Sequence, residues 1–133
     1  MARILIIEDN EANTKLARLL LCRAGHSVLA ARDAETGLTL ARSELPELVL
    51  MDLQLPGMDG LAATAVLRSD PTTAAIPIVA FTALAMKNDQ EKSLLAGCSA
   101  YIAKPLRYRE LYDTINSLLP TVDRTASAKE ESG

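Results

Sequence analysis

Short apolar runs that alternate with amphipathic stretches constrain the fold of this chain more than any other feature. The runs are rich in β-branched residues and lie at residues 3–7, 27–31, 48–51, 78–81 and 100–103. The stretches between them have the apolar period of a helix, with predicted helices beginning near Asn10, Asp33, Asp59, Met86 and Arg107. Parallel strands joined by helical crossovers produce this alternation. The pattern therefore predicts an α/β fold with a parallel sheet of five strands and helices on both faces.

The length and composition of the chain allow one domain. Its 133 residues are 49% hydrophobic, which is enough to bury an aliphatic core. The alternation ends near residue 119, and residues 120–133 are rich in small and charged side chains. We therefore predict a domain over residues 1–119 and a mobile tail over 120–133.

Charge and hydropathy exclude two classes of protein. Seventeen acidic against fourteen basic residues give a net charge of -3, which does not suit direct binding to nucleic acid. No run approaches the ~20 apolar residues of a membrane span, so we expect no membrane insertion and a cytoplasmic location. Cys22 and Cys98 are too few for a disulfide framework and are predicted to be reduced core residues.

Polar side chains follow four of the five predicted strands. Glu8 and Asp9 follow the first run, Asp52 the third, Thr82 the fourth, and Lys104 with Pro105 the fifth. Arg32 and Asp33, after the second run, are assigned to helix capping. Ligands of open α/β sheets bind beyond the carboxyl ends of the strands, so we expect these polar groups to form one site.

The residue types at this edge point to a metal ion and a phosphoryl group. Glu8, Asp9 and Asp52 would place three carboxylates close together, which demands a cation or raises their pKa values. Oxygen ligands favour Mg²⁺, whereas zinc would need Cys or His ligands. Lys104 and Thr82 suit phosphoryl oxygens, and Asp52 is a candidate nucleophile because aspartate can carry an aspartyl phosphate.

At these residues the chain resembles the response-regulator receiver domain, over about residues 3–119. The motifs that carry the resemblance are Glu8-Asp9-Asn10, Asp52-Leu-Gln-Leu-Pro56-Gly-Met-Asp-Gly60, Phe-Thr82-Ala83 and Tyr101-Ile-Ala-Lys104-Pro105. The sequences of these motifs are also similar to those of the stand-alone DivK-type regulators of this family. The resemblance implies a flavodoxin-like (βα)₅ fold with strand order 2-1-3-4-5. It also implies that a histidine kinase or a histidine phosphotransfer protein donates a phosphoryl group to this chain.

The resemblance implies the ligands of the metal ion. Asp52 would be the phosphoacceptor, and Asp9, Asp52 and the backbone carbonyl of Gln54 would bind Mg²⁺, with Mn²⁺ as an alternative ion. Glu8 would hold a metal-bound water. Gln54 also occupies a position that in the family tunes the access of hydrolytic water.

The resemblance also implies a phosphorylation switch. Lys104 would contact the phosphoryl group, Thr82 would close on it, and Tyr101 would be the switch aromatic. The peptide bond between Lys104 and Pro105 would be cis, which costs little before proline.

The expected function is that of a single-domain response regulator. It would promote its own aspartyl phosphorylation and dephosphorylation without being a conventional enzyme, and it would signal as a monomer or weak homodimer to a downstream protein. The expected output face comprises the predicted helix at 86–95, the strand at 100–103 and the predicted helix at 107–119. Tyr108 and Tyr112 lie on that last helix and are predicted to fill the core; their exposure would instead indicate a partner surface.

Several alternatives are weighed against this function. A receiver domain cut from a hybrid histidine kinase has the same motifs and stays open, as does a Mg²⁺-dependent phosphatase, although aspartyl phosphatases place Asp-x-Asp after the first strand. A flavodoxin is disfavoured because Glu8 and Asp9 occupy its phosphate-binding loop. A P-loop NTPase is disfavoured because its Gly-x-x-x-x-Gly-Lys-Ser/Thr motif is absent from the sequence.

Overall fold

The fold is a doubly wound α/β sandwich built on one parallel sheet. The computed structural model describes residues 2–55, 57–82, 97–104 and 106–119. The strands are β1 (Arg3–Ile7), β2 (Ser27–Ala31), β3 (Leu48–Asp52), β4 (Ile78–Thr82) and β5 (Ala100–Ala103). They form a parallel sheet of five strands in the order β2-β1-β3-β4-β5, which confirms the predicted fold and strand order.

Four helices within the described residues cover the sheet. They are α1 (Glu11–Arg23), α2 (Ala34–Glu44), α3 (Gly60–Ser69) and α4 (Tyr108–Leu118). None of these helices is both long and apolar enough to cross a membrane. The predicted helix at 86–95 and the predicted tail at 120–133 lie outside the described residues.

Alternate residues of the strands supply two separate apolar clusters, one on each face of the sheet. On one face, Leu5, Val49 and Ile78 pack in a cluster that includes Leu38 of α2 and Leu67 of α3. On the other face, the strand residues join residues of α1 and α4 in a second cluster, which includes Ile6, Leu50, Phe81, Leu21, Leu111 and Ile115. β3 and β4 are buried along their whole length because both faces are covered, which explains their continuous apolar runs.

Side-chain caps fix where three of the helices begin. The Asn10 Oδ1 accepts a hydrogen bond from the Asn13 N–H at 3.0 Å, and the Asp33 Oδ1 accepts one from the Thr36 N–H at 2.7 Å. Asp59 caps α3 in the same way through the Ala62 N–H at 2.8 Å. These caps confirm the helix starts predicted at Asn10, Asp33 and Asp59.

Two predictions about individual side chains are wrong. Cys22 is exposed, because the buried stripe of α1 runs through Ala17 and Leu21. Cys98 is buried as predicted. Tyr108 is 56% exposed because Leu111 and Ile115 form the buried stripe of α4.

Tyr112 is half-buried, and its hydroxyl donates to the carbonyl oxygen of Leu20 at 2.9 Å. Its ring meets the Tyr108 ring edge to face, with centroids 5.9 Å apart. Tyr112 therefore joins α4 to α1, and neither tyrosine fills the core.

Candidate functional site

Strand pairing brings the predicted carboxylates together at the carboxyl edge of the sheet. β1 and β3 are neighbours with Ile7 opposite Met51, so the next residues, Glu8 and Asp52, lie side by side. Glu8 and Asp52 are each 1% exposed, whereas Asp9 is exposed. One carboxylate oxygen from each of the three acids lies within 4.8 Å of the others.

Lys104 places a positive charge against this carboxylate cluster. Its backbone N–H donates to the Thr82 carbonyl at 2.9 Å, which continues the pairing of β5 with β4. Its Nζ lies 2.9 Å from the Glu8 Oε1 and 3.2 Å from the Asp52 Oδ2. The same ammonium lies 4.9 Å from the centroid of the Phe81 ring, a cation–π distance. Two carboxylates and one aromatic face therefore hold the ammonium in place.

Backbone N–H groups orient the two buried carboxylates. The Gln54 N–H donates to the Asp52 Oδ1 at 2.9 Å, and the Asn10 N–H donates to the Glu8 Oε2 at 2.9 Å. Both donors lie two residues after the carboxylate that they bind, in the loop that follows the strand. The carboxylates are thus oriented by the same turns that end β1 and β3, so little reorganisation is needed when the site is used.

Burial and ion pairing act on the site in opposite directions. Burial is the main cause of the raised pKa of Glu8, and Asp52 nearby adds to it. For Lys104, burial disfavours the charged form, but hydrogen bonding and Coulomb attraction from Glu8 and Asp52 together outweigh burial and raise its pKa. Lys104 therefore stays charged at neutral pH.

Thr82 is linked to the loop after β3 by a contact that sequence reasoning missed. Thr82 is fully buried at the end of β4, and its Oγ1 donates to the Gln54 Oε1 at 3.3 Å. The resemblance to receiver domains implied a role for the Gln54 backbone carbonyl but not a hydrogen bond accepted by its side chain. The spacing of Gln54 two residues beyond Asp52 was the available signal.

Gly60 supports the same loop at very short range. A Cβ at this position would meet the Asp52 carbonyl oxygen and would lie 2.7 Å from the Leu53 Cα. The Gly60 N–H also donates to the Leu53 carbonyl at 3.2 Å. The start of α3 therefore packs directly on the backbone of the Asp52 segment, a constraint that the sequence motif contained but did not explain.

Tyr101 lies on β5 beside this site. It is half-buried, stands opposite Ala80, and packs against the apolar cluster that contains Ile78 and Cys98. Pro105 lies outside the described residues, and so does the predicted cis peptide bond.

A cavity of about 260 Å³ adjoins the carboxylate cluster. Its lining is mixed in charge and comprises Glu8, Asp9, Glu11, Thr14, Lys15, Arg18 and Arg32. Arg32 was assigned to helix capping, but the cap of α2 is Asp33 alone. The basic lining was not predicted, because Lys15 and Arg18 meet Arg32 only through the tertiary fold.

The three carboxylates fit a hard divalent cation. The cluster supplies only oxygen ligands, and Lys104 is the cation that contacts it among the described residues. Mg²⁺ is bound by one or two carboxylates together with water and phosphate oxygens. The donor set therefore matches Mg²⁺ better than a metal that prefers nitrogen or sulfur.

Fold and site define a flavodoxin-like α/β protein with an acidic, lysine-bearing site at the carboxyl edge of its sheet. Residues 4–116 match the family model of the response regulator receiver domain, and the chain belongs to this family. Receiver domains are not a conventional enzyme family; they act with histidine kinases and downstream targets in two-component signalling.

Curated relatives and solved structures agree on the family. The polar-differentiation response regulator DivK of Brucella anthropi is 43% identical over 116 residues, which cover 87% of this chain and 94% of that protein. DivK of Brucella ovis gives the same figures. A receiver domain of a signal transduction histidine kinase from Syntrophus aciditrophicus has a TM-score of 0.84 at 27% identity, covering 93% of this chain and 94% of its own.

A further structural relative carries a metal ion. The receiver domain of a Pseudomonas aeruginosa sensor histidine kinase has a TM-score of 0.82 and 32% identity, covering 88% of this chain and 96% of its own. That structure has a magnesium ion coordinated in its active site cleft. The acidic pocket of this family is present here as Glu8, Asp9 and Asp52.

Proposed function

We propose that this protein is a response regulator that accepts a phosphoryl group on Asp52 from a histidine kinase or a histidine phosphotransfer protein. The observation that carries the proposal is the Lys104 Nζ, 3.2 Å from the Oδ2 of a buried aspartate at the end of the central strand. The ammonium group of an ordinary surface lysine would lie in solvent and would not contact two buried carboxylates. Its position suits neutralisation of a phosphoryl group on Asp52.

Asp9, Asp52 and the Gln54 backbone carbonyl would hold the divalent ion, with Glu8 acting through a bound water. Mg²⁺ is the expected ion and Mn²⁺ the alternative, because both prefer oxygen ligands. When bound, the ion would neutralise negative charge on the phosphoryl oxygens. The three carboxylate oxygens within 4.8 Å of one another support this ligand set.

The residues of the chain then have simple roles in the transfer. An Asp52 oxygen attacks phosphorus in line, and the phosphorus–nitrogen bond to the donor histidine breaks. The freed imidazole nitrogen takes the electron pair of that bond and is protonated by solvent. The Gln54 N–H orients the Asp52 carboxylate, and Lys104 contacts the transferred group.

Phosphorylation would act as a switch because it changes what surrounds Thr82. A phosphoryl group brings more negative charge and three strong acceptor oxygens. The Thr82 hydroxyl would exchange its hydrogen bond to Gln54 for one to the phosphoryl group. The side chain of Tyr101, on the neighbouring strand, would move in response to this shift of Thr82. The output would be a changed contact with a downstream protein at β5 and α4.

The protein would also control its own phosphorylation state. It would promote its own phosphorylation and dephosphorylation in the cytoplasm, as a monomer or weak homodimer. Partners would be proteins, since the net charge of -3 does not suit direct nucleic-acid binding.

Labelling with a small phosphodonor tests whether Asp52 is the phosphoacceptor. The protein with Mg²⁺ and the small phosphodonor acetyl phosphate should gain the mass of one phosphoryl group, measured by intact-protein mass spectrometry. Asp52→Asn should abolish the gain because the amide does not form the acyl phosphate. Asp113→Asn, at an exposed position of α4, is the matched control and should be labelled at the normal rate. Labelling of Asp52→Asn at that rate would refute the assignment.

A further inference from the structure

We propose that the cavity beside the carboxylate cluster is an oxyanion-binding subsite, in which Lys15, Arg18 and Arg32 hold the anion of a small phosphodonor. The cavity shares Glu8 and Asp9 with the cluster, so a ligand in it lies at the edge of the phosphoacceptor site. The use by a phosphodonor rests on the proposed function, whereas the binding of the oxyanion does not.

The basic side chains of the cavity are available to a ligand. Lys15 and Arg18 are three residues apart on α1 and therefore share a face of the helix, and Arg32 faces them from the loop after β2. Throughout the described part of the chain, no carboxylate forms a salt bridge with any of these three residues. By contrast, Arg3 and Arg42 are paired with Glu44 and Asp70.

The size of the cavity selects a compact ligand. Its volume of about 260 Å³ lies below the ~300–1,000 Å³ typical of pockets for drug-sized molecules. A phosphate or a small acyl phosphate fits this space.

The basic side chains of the subsite would offset the repulsion between the carboxylate cluster and an anionic phosphodonor. Three carboxylates in a protein of net charge -3 repel the anionic donors that the site requires. The wall of the adjoining cavity carries Lys15, Arg18 and Arg32 beside Glu8, Asp9 and Glu11, so its three cations offset the charge of its three acids. Arginine suits this task because its planar fork binds phosphate and carboxylate oxygens in pairs.

A direct binding measurement tests the subsite. Inorganic phosphate is titrated into the protein in the presence of Mg²⁺, and amide chemical shifts are followed by NMR. We expect shifts at residues 15–18 and 31–33, and a dissociation constant that rises about fivefold in the double variant Arg18→Gln/Arg32→Gln. The control is Arg23→Gln/Arg109→Gln, which removes the same charge at two positions that do not line the cavity and should leave the constant unchanged.

A kinetic measurement tests its use by a phosphodonor. The half-saturating concentration of acetyl phosphate in the labelling reaction should rise about fivefold in Arg18→Gln/Arg32→Gln, with the maximal rate unchanged. An equal rise of this half-saturating concentration in the control Arg23→Gln/Arg109→Gln would overturn the subsite, because the effect would then come from net charge alone. The subsite would also be overturned if Arg18→Gln/Arg32→Gln bound phosphate like the wild type but accepted a phosphoryl group more slowly from a phosphohistidine protein. If the wild-type protein is not labelled, the proposed function fails, and the phosphate titration still decides the subsite.

Discussion

At the scale of single residues, the environment of a side chain decides its protonation and its backbone strain. His26, Leu45 and Lys104 are ordinary residues in the sequence, yet the fold gives each a defined physical state. Lys104 is held charged by two buried carboxylates. Burial lowers the pKa of His26, and Leu45 occupies the left-handed region with φ of 46°. The latter two yield tests that do not involve the phosphoacceptor site.

His26, the single histidine of the chain, should make stability depend on pH. Its Nδ1 accepts the Ala2 N–H at 3.1 Å, and burial lowers its pKa below the ordinary 6.5. The unfolded state therefore binds more protons between that lowered pKa and 6.5, so this contribution is complete above 6.5 and is lost as the pH falls through the window. Urea unfolding of the wild type and His26→Gln across this range measures it. An equal pH slope in the variant would contradict the prediction.

Leu45 should be replaceable by glycine with a gain in stability. It caps α2 in the left-handed region and is 54% exposed, so it pays backbone strain without burying its side chain. Leu45→Gly should raise the free energy of unfolding by about 0.5–1 kcal/mol.

Leu19 provides the matched control for this substitution. It is also 54% exposed but lies inside α1, so Leu19→Gly should lower the free energy of unfolding by about 1 kcal/mol. Chemical denaturation compares the two variants. A loss of stability in both would show that strain at position 45 is negligible.

At the scale of elements, the site depends on how α3 meets the end of β3. The local signals for these elements are strong: an apolar run predicts β3, and Asp59 predicts the start of α3. The distance between them is not a local property. Gly60 lies so close to the Asp52 backbone that any side chain must displace the segment that carries the phosphoacceptor.

Gly60→Ala should therefore impair stability and phosphorylation together. The added methyl group meets backbone atoms of Asp52 and Leu53, which cannot rotate away, and should cost about 2 kcal/mol of stability. The labelling rate should fall because the Asp52 carboxylate is displaced. Denaturation and acetyl phosphate labelling measure the two effects.

Gly25→Ala is the control that separates a loss of stability from a loss of labelling rate. Gly25 has φ of 93° but open space around its Cα, so alanine costs backbone strain of about 1 kcal/mol. Its labelling rate should be normal because it follows α1 at the far end from the site. Normal labelling in Gly60→Ala would show that close packing of α3 does not position Asp52.

At the scale of the whole molecule, Arg68 ties separate segments together. Its Nε donates to the Gly97 carbonyl at 2.8 Å, and its Nη1 donates to the Ala74 and Ile76 carbonyls at 2.9 and 2.6 Å. One side chain of α3 thus holds the chain before β4 and the chain before β5. Burial is the main cause of its lowered pKa, and carbonyl dipoles take the place of a carboxylate partner.

Arg68→Met should destabilise the protein by about 3 kcal/mol, since it leaves three carbonyl groups without their charged donor. Arg42→Met is the control, because Arg42 forms a surface ion pair with Asp70 and its loss should cost less than about 1 kcal/mol. Urea denaturation compares the two free energies of unfolding. Similar losses would mean that the carbonyl contacts of Arg68 contribute no more than a surface pair.

The sequence by itself determined the elements of the described residues, their order and the residues at the strand ends, because these depend on local properties: side-chain period, caps and chain order. The grouping of Glu8, Asp9, Asp52 and Lys104 followed from one topological rule for parallel sheets. The tertiary structure alone decided the bond from Thr82 to Gln54, the exposure of Cys22 and Tyr108, the approach of Gly60 and the basic lining of the cavity. Each of these depends on distances between elements and on which helix face meets the sheet, and residues far apart in the chain set those quantities together.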